Sequence, residues 1–224
     1  MSEYKSLRLN KCMAPEVRFE GTKFKTIHIE TGIPEDSGIE ELSEWCRYFG
    51  DSGLAPLHTD ALSHDVSSYG NLSFRTGENS FIITASGSNL GNMSEDDFFE
   101  VKNVDAEKRV VYVHGAKEKE PSSESMLHAS IYRKNPGVNA VFHGHCKRIL
   151  DACSALEIPV TENFENYGTP ELVKSVLGLM EKHPSAYFII MKDHGFVSMG
   201  KDMESAGNLA VEFCRKSSGT PERI

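Results

Sequence analysis

The most informative stretch of the sequence is Val138-Asn139-Ala140-Val141-Phe142-His143-Gly144-His145. It is an apolar run, typical of a buried strand, that ends in two histidines two positions apart. Because successive side chains of a strand point to opposite faces, His143 and His145 share one face. Two imidazoles at the end of a buried strand are typical ligands of a divalent metal. His-x-His alone is common, so a purely structural pair is the alternative that the rest of the chain must exclude.

Composition and charge restrict the function classes. The chain has 224 residues, of which 39% are hydrophobic and 25% charged, as expected of a soluble globular protein with one large domain. Its net charge of −9, without a lysine or arginine run, argues against nucleic acid or an anionic membrane surface as a partner. No apolar run approaches the roughly 18 residues of a membrane span, and the N-terminus lacks the apolar core of a signal peptide.

The cysteines indicate the redox environment. The five are scattered and form no Cys-x-x-Cys pair, which favours a reduced, cytoplasmic chain with free thiols. Cys146 follows His145 directly and should point to the opposite face of the strand, so we expect a packed thiol rather than a ligand. The five residues are Cys12, Cys46, Cys146, Cys153 and Cys214.

The first half of the chain reads as an extension followed by mixed elements. Residues 1–35 predict an N-terminal extension with one strand at most, near Phe24 to Ile29. Ser37 and Glu40 form a capping-box pattern that opens a helix, and glycines at 50 and 53 end it. The polar residues 54–69 predict a loop, and two alternating runs at 70–75 and 80–84 predict a hairpin. Residues 93–99 predict a short acidic helix and 109–114 a strand.

The second half alternates helices with strands. Pro121-Ser122-Ser123 opens a helix that runs to about Asn135, and the histidine strand follows. Helices are predicted at 146–156, from Thr169 and from Asp202, and a buried strand at 186–191. Strands that alternate with helices but also pair as a hairpin indicate an α/β domain with a mixed or mostly antiparallel central sheet.

Two further positions carry metal-binding side chains. His194 follows the strand at 186–191 and precedes a glycine, and Glu124 lies at the predicted first turn of the helix after Ser123. Three imidazoles and a carboxylate suit tetrahedral Zn²⁺, with room for a substrate oxygen if the carboxylate leaves. The alternative for Glu124 alone is a carboxylate stabilised by the helix dipole. His128, His114 and His183 are predicted to be structural.

With these residues in place, the chain resembles the class II aldolase/adducin family of the fuculose-phosphate aldolase type. The resemblance covers about residues 36–218 and leaves 219–224 as a short tail. It implies a three-layer α/β/α fold around the mixed, mostly antiparallel sheet, and a cyclic homotetramer with sites at subunit interfaces. The motifs that carry it, in family order, are Gly70-Asn71-x-Ser73-x-Arg75, Ile83-Thr84-x-Ser86-Gly87, Pro121-Ser122-Ser123-Glu124, Ala140-Val141-x-His143-x-His145, and His194-Gly195 with Gly200 beyond.

The resemblance also implies roles for individual residues. Zn²⁺ would be bound by His143, His145 and His194, with Glu124 as fourth ligand in the empty site and as the base that moves a proton once substrate arrives. A substrate phosphate would be held by neutral donors, which agrees with the missing basic patch. A helix N-terminus and a small-residue loop are suited to that task. The phosphate-binding residues would be Asn71, Ser86, Gly87, Ser122 and Ser123.

The expected function is a zinc-dependent aldolase that cleaves a sugar or ketose phosphate by retro-aldol chemistry through an enediolate. The products would be an aldehyde and a ketone like dihydroxyacetone phosphate. One alternative uses the same metal chemistry for an epimerase, a dehydratase of the methylthioribulose-phosphate type, or a decarboxylase. The other is a non-catalytic interaction module like the adducin head, against which the retained histidines and Glu124 argue.

The chain departs from the family pattern at the expected proton donors. Ile158-Pro159 passes almost directly to Tyr167-Gly168-Thr169, so the family's tyrosine-bearing segment is shortened, and we expect no tyrosine-bearing C-terminal tail. The proton donor for the aldehyde product is therefore unassigned. The stretch 54–69, longer than in the family, offers substitutes, namely His58, His64, Asp65 and Tyr69.

Overall fold

A single eight-stranded sheet forms the centre of the computed structural model, which describes residues 21–59 and 66–219. The strands of the structure are β1 (Lys25–Thr31), β2 (Leu57–Thr59), β3 (Val66–Ser68), β4 (Gly70–Arg75), β5 (Phe81–Thr84), β6 (Phe98–Asp105), β7 (Val110–Gly115), β8 (Ala140–Gly144), β9 (Phe188–Met191) and β10 (Gly195–Gly200). The helices are α1 (Gly38–Ser52), α2 (Ser125–Lys134), α3 (Lys147–Ala152), α4 (Pro170–Lys182) and α5 (Met203–Ser217).

The sheet is mixed and mostly antiparallel, as the sequence predicted. Its strand order is β1-β7-β6-β5-β4-β8-β10-β9, and β2 pairs with β3 in a separate hairpin. Within the large sheet only β1 and β7 run parallel; every other pair is antiparallel. The histidine strand β8 therefore lies between β4 and β10, near the middle of the sheet.

Helices cover both faces of the sheet, which confirms the three-layer arrangement. Phe142 of β8 packs in one core cluster with side chains from α1, α3 and α5. Its neighbour Val141 packs in a second cluster with α2 and α4. Both residues are fully buried, because a strand between two helical layers buries its two faces alike. This double burial explains why residues 140–142 of the strand are apolar without alternation.

Four strands, β2, β3, β6 and β10, were not predicted. Residues 54–69 were expected to be a loop, yet they contain the hairpin of β2 and β3. The predicted acidic helix at 93–99 is only one turn of 3-10 helix, Glu95–Asp97, and β6 begins directly after it. β10 follows His194 at once and is buried along its whole length. These strands are short or rich in small and polar residues, so cross-strand pairing rather than local propensity makes them extended.

Two helix starts differ from the sequence signals, α1 continues through Gly50 to Ser52, and α3 ends at Ala152 rather than near 156. Ser37 makes no side-chain capping bond; the Asp36 carboxylate accepts from the Gly38 amide instead, at 2.8 Å, so the predicted capping box is wrong. α2 begins at Ser125, so Glu124 occupies the cap position rather than the first turn. Thr169 caps α4 as expected, accepting from the Leu172 amide at 3.3 Å.

The strand predicted within the N-terminal extension exists as β1 and pairs with β7 at the edge of the large sheet. Residues 1–20 of that extension lie outside the described residues, as do 60–65, with His64 and Asp65, and residues 220–224 of the tail. None of the described helices combines the length and the apolar character needed to cross a lipid bilayer.

Candidate metal centre

Three neighbouring segments bring His143, His145 and His194 together. His143 is the penultimate residue of β8, His145 follows the end of that strand, and His194 lies in the turn between β9 and β10. One ring nitrogen from each histidine lies within 4.8 Å of the others, and all three side chains are buried. The antiparallel pairing of β8 with β10 therefore makes a cluster from residues about fifty positions apart. This is a group that could hold a metal ion.

The tautomer of His143 is fixed by the backbone. Its Nδ1 lies 2.8 Å from the Phe196 carbonyl oxygen, which can only accept, so Nδ1 carries the proton. Nε2 is therefore the ring nitrogen directed into the cluster, 3.0 Å from Nε2 of His145. A metal-binding histidine usually donates its other ring N–H to a carbonyl or carboxylate in this way.

Glu124 faces the histidines from the start of α2. Its Oε2 lies 3.2 Å from Nε2 of His143, and its Oε1 lies 3.5 Å from Nε2 of His194. Asn71 of β4 donates from Nδ2 to Oε2 of Glu124 at 3.0 Å. Within the described residues, Oε1 of Glu124 and Nδ1 of His194 are buried without a hydrogen-bond partner. Buried polar atoms without partners are costly, and a cation within this donor set would be a partner for the carboxylate.

Burial and charge determine the protonation of the cluster. Burial lowers the pKa of His145 well below 6.5 and the pKa of His194 to about 4. Burial alone would raise the pKa of Glu124, but the neighbouring His143 and His194, with the Asn71 hydrogen bond, hold that pKa below its usual value. The site thus presents neutral imidazole nitrogens at His145 and His194 together with an anionic carboxylate, which are the protonation states that metal binding requires.

The glycine after His194 is required by close packing. A Cβ atom at Gly195 would lie 2.6 Å from the Gly144 carbonyl oxygen and 2.7 Å from Cε1 of His143. Any larger residue would push β10 away from β8 and separate His194 from the other two histidines. The His-Gly pair in the sequence therefore follows from the geometry of the cluster.

The cluster lies at the base of a cleft of about 530 Å³. Every residue predicted to bind phosphate lines this cleft, together with Glu124 and the three histidines. Gly87 has a φ of +77°, a left-handed conformation that favours glycine. The lining residues with this predicted role are Asn71, Ser86, Gly87, Ser122 and Ser123.

The donors of this cleft differ in one respect from the prediction. The amide of Ser122 donates to the Thr84 carbonyl at 3.0 Å, and the amide of Ser86 donates to the Glu120 carbonyl at 2.9 Å. These two amides already donate to backbone carbonyls in the wall of the cleft, so they are not available to an anion. The helix N-terminus also lies further along the chain, because α2 begins at Ser125. The hydroxyl groups of Ser86, Ser122 and Ser123 line the cleft and can donate to a ligand there.

Two tyrosines, Tyr69 and Tyr167, line the cleft beside the histidine cluster. Tyr69 stacks on His145, with ring centroids 5.3 Å apart and planes inclined by 21°. His58 of β2 lies beside Tyr69, with ring centroids 5.0 Å apart. Tyr167 also lines the cleft, and Lys23 Nζ lies 4.5 Å from its ring centroid. Tyr69 and His58 were candidates within the longer 54–69 stretch, whereas no sequence signal pointed to Tyr167.

Two residues close to the cluster are structural, as expected. His128 is fully buried, with Nδ1 2.7 Å from the Ser73 hydroxyl oxygen, and burial lowers its pKa to about 3. Cys146 is a buried thiol in the core cluster below the sheet. Neither belongs to the group of histidines that could hold a metal.

Comparison with known proteins places the whole domain in one family. Residues 40–216 match the family described as class II aldolase and adducin N-terminal domain. A methylthioribulose-1-phosphate dehydratase of Yersinia enterocolitica is 25% identical over 198 residues, which cover 78% of this chain and 86% of that protein. An L-fuculose phosphate aldolase of Methanococcus maripaludis is 33% identical over 155 residues, covering 63% and 78%.

The fold has close counterparts among solved structures. A sugar-phosphate aldolase from Thermotoga maritima superposes with a TM-score of 0.65 over 80% of this chain and 91% of that one. At 18% identity this likeness concerns the fold alone. The family match spans the sheet and helices that carry the histidine cluster. The chain therefore belongs to the class II aldolase and adducin N-terminal domain family.

Proposed function

We propose that this chain is a zinc-dependent lyase that cleaves a sugar or ketose phosphate between two carbon atoms, giving an aldehyde and a ketone like dihydroxyacetone phosphate. The observation that carries the proposal is the convergence of three buried imidazoles and one buried carboxylate at the base of a hydroxyl-lined cleft. A non-catalytic domain would have no reason to retain this costly set of buried polar groups.

The metal would be held by His143, His145 and His194, with Glu124 as a fourth contact until substrate enters. Nitrogen ligands with one carboxylate favour Zn²⁺ over Mg²⁺ or Ca²⁺, which prefer oxygen. A bound zinc ion would supply Lewis-acid chemistry, which withdraws electrons from a substrate carbonyl. The Phe196 carbonyl would keep the His143 ring oriented for this ligation.

Glu124 would move the proton at the substrate carbon next to the carbonyl. Glu124 is 2% exposed, so water competes little for that proton. The hydrogen bond from Asn71 fixes one carboxylate oxygen, and the other has no hydrogen-bond partner among the described residues. The free oxygen is therefore available to accept a proton from a bound ligand.

The phosphate of the substrate would lie against Ser86, Gly87, Ser122 and Ser123, with Asn71 between it and the metal. These residues line the same cleft as Glu124, so one small phosphorylated ligand could contact both groups. Hydroxyl donors without a basic patch suit a protein of net charge −9, because they bind an anion by hydrogen bonds rather than by bulk attraction.

A dehydratase acting on a methylthioribulose phosphate is the second candidate. It is supported by the 25% identity to the Yersinia enterocolitica dehydratase over 86% of that protein. The same carboxylate would remove a proton next to a carbonyl, but a hydroxyl group would leave instead of an aldehyde. An epimerase or a decarboxylase would use the same groups, but the relatives described above are dehydratases and aldolases. We further infer a homotetramer from the family resemblance, and a cytoplasmic location from the scattered cysteines without a Cys-x-x-Cys pair.

The test is a panel of phosphorylated ketoses offered to the zinc-loaded protein, with product detection by NMR. Formation of an aldehyde and dihydroxyacetone phosphate from one of them would support the lyase. Loss of water or inversion of a carbon centre without cleavage would replace the aldolase by the dehydratase or the epimerase. A metal content near zero per chain in carefully purified protein would instead revive the non-catalytic module.

A further inference from the structure

Cleavage of a carbon–carbon bond requires a group that exchanges a proton with the aldehyde oxygen, and Glu124 acts on the ketone side. We propose that the hydroxyl group of Tyr69 is this second proton-transfer group. The inference rests on the lyase proposed above. It assigns a catalytic role to a residue of the stretch 54–69, which we expect to be longer than its counterpart in the family.

Strand pairing places Tyr69 opposite the metal-binding cluster. In the antiparallel register of β4 and β8, Asn71 lies across from His143 and Gly70 across from Gly144. One step further along this register, Tyr69 reaches His145, and their rings stack with centroids 5.3 Å apart. Asn71, two residues away from Tyr69, is the donor to Glu124. The start of β4 therefore contacts both the carboxylate and a metal-binding histidine.

The backbone around Tyr69 is held from two sides. The Tyr69 amide donates to the Pro56 carbonyl at 2.9 Å, and the Ser68 amide donates to the Ser88 carbonyl at 2.9 Å. A Cβ atom at Gly70 would lie 2.6 Å from the His143 carbonyl oxygen, so β4 approaches β8 very closely here. The Tyr69 ring thus has a fixed position, as a proton donor needs.

The other tyrosine of the cleft is placed differently. Gly168, next to Tyr167, packs against the Ser123 carbonyl, from which a Cβ atom at that glycine would be 2.9 Å away. On its other side, the Tyr167 ring lies against Lys23, whose Nζ is 4.5 Å from the ring centroid. Tyr167 therefore lies towards the serine wall, whereas Tyr69 lies beside the histidines. His58 packs against the Tyr69 ring, which itself lies against His145, so Tyr69 stands between His58 and that histidine.

The proposed step conserves atoms and charge. In the synthetic direction, Glu124 takes a proton from the ketone carbon, and the electron pair left on that carbon forms the new bond to the aldehyde carbon. The π electrons of the aldehyde carbonyl move to its oxygen, which takes the hydroxyl proton of Tyr69. Water then reprotonates the tyrosine oxygen and accepts the proton from Glu124. Cleavage follows the same positions in reverse.

The experiment separates the two proton transfers. Glu124 alone is needed to exchange the carbon-bound proton of dihydroxyacetone phosphate with deuterium from D₂O, which NMR detects. Both groups are needed to condense that ketone with an aldehyde, for which glycolaldehyde, lactaldehyde and glyceraldehyde are the probes. We expect Tyr69→Phe, which keeps the stacked ring, to retain exchange within about threefold and to lose condensation by about 10²–10⁴-fold.

Tyr167→Phe is the matched comparison, because it removes a phenol hydroxyl from the same cleft. Equal zinc content and circular dichroism spectra would show that all variants are folded and loaded. Retained condensation in Tyr69→Phe, or a loss confined to Tyr167→Phe, would overturn the inference. So would a wild-type protein that exchanges the proton but condenses none of the three aldehydes. A wild-type protein that exchanges no proton would instead refute the proposed lyase itself.

Discussion

The replacement of Glu124 by glutamine tests the central feature of the site. The change preserves the size of the side chain and removes only its ability to take a proton. In the structure, Glu124 Oε2 accepts from Asn71 at 3.0 Å, a contact that the glutamine carbonyl oxygen can keep. Three imidazoles also remain in place, so we expect Glu124→Gln to retain close to one zinc ion per chain.

Turnover should respond very differently from metal content. Loss of a general base costs about 10²–10⁴ in rate, equivalent to about 2.7–5.4 kcal/mol of transition-state stabilisation at about 1.36 kcal/mol per factor of ten. The expected result for Glu124→Gln is therefore a loss of this size in the deuterium exchange of dihydroxyacetone phosphate. Zinc content is measured on the same samples by inductively coupled plasma mass spectrometry.

Glu171 provides a matched control. It is an exposed glutamate in the first turn of α4, as Glu124 is a buried one at the cap of α2. Glu171→Gln should leave both the exchange rate and the zinc content unchanged. If Glu124→Gln exchanged the proton as fast as wild type, the carboxylate would not be the base. If it lost zinc completely, Glu124 would be primarily a ligand.

Three further results are expected. His194→Ala should lower the zinc content after dialysis against a weak chelator, and an unchanged content would remove His194 from the ligand set. Phe142→Ala should lower the free energy of unfolding in urea by about 3–5 kcal/mol, since the ring is fully buried; a loss below about 1 kcal/mol would contradict this. Burial raises the pKa of Asp97, but hydrogen bonds from Lys119, Ser94 and Ser88 hold it below its usual value. A carboxylate whose pKa is lowered by folding contributes stability above its ordinary pKa of about 4 and loses it as the pH falls further. Wild type should therefore exceed Asp97→Asn in urea midpoint at pH 6, and this advantage should shrink steadily as the pH is lowered below about 4.

Local patterns in the sequence were sufficient for much of the fold and for the core of the site. An apolar run with His143 and His145 on one face predicts a buried strand and a metal pair, because side-chain alternation is a property of every strand. Thr169 with the following proline predicts a helix start, because both residues act on the first turn of the same helix. Motif order along the chain then indicated the family.

Only the tertiary structure determined which residues meet. Strands β6 and β10 carry weak local signals and are extended because their neighbours pair with them. The register of β8 with β4 and β10 brings Asn71 and His194 to the histidine pair, and it places Tyr69 against His145. Cross-strand register depends on contacts between residues far apart in the chain. For that reason the sequence alone could name the three candidate metal ligands, whereas the folded chain shows that the Tyr69 ring lies against one of them, His145.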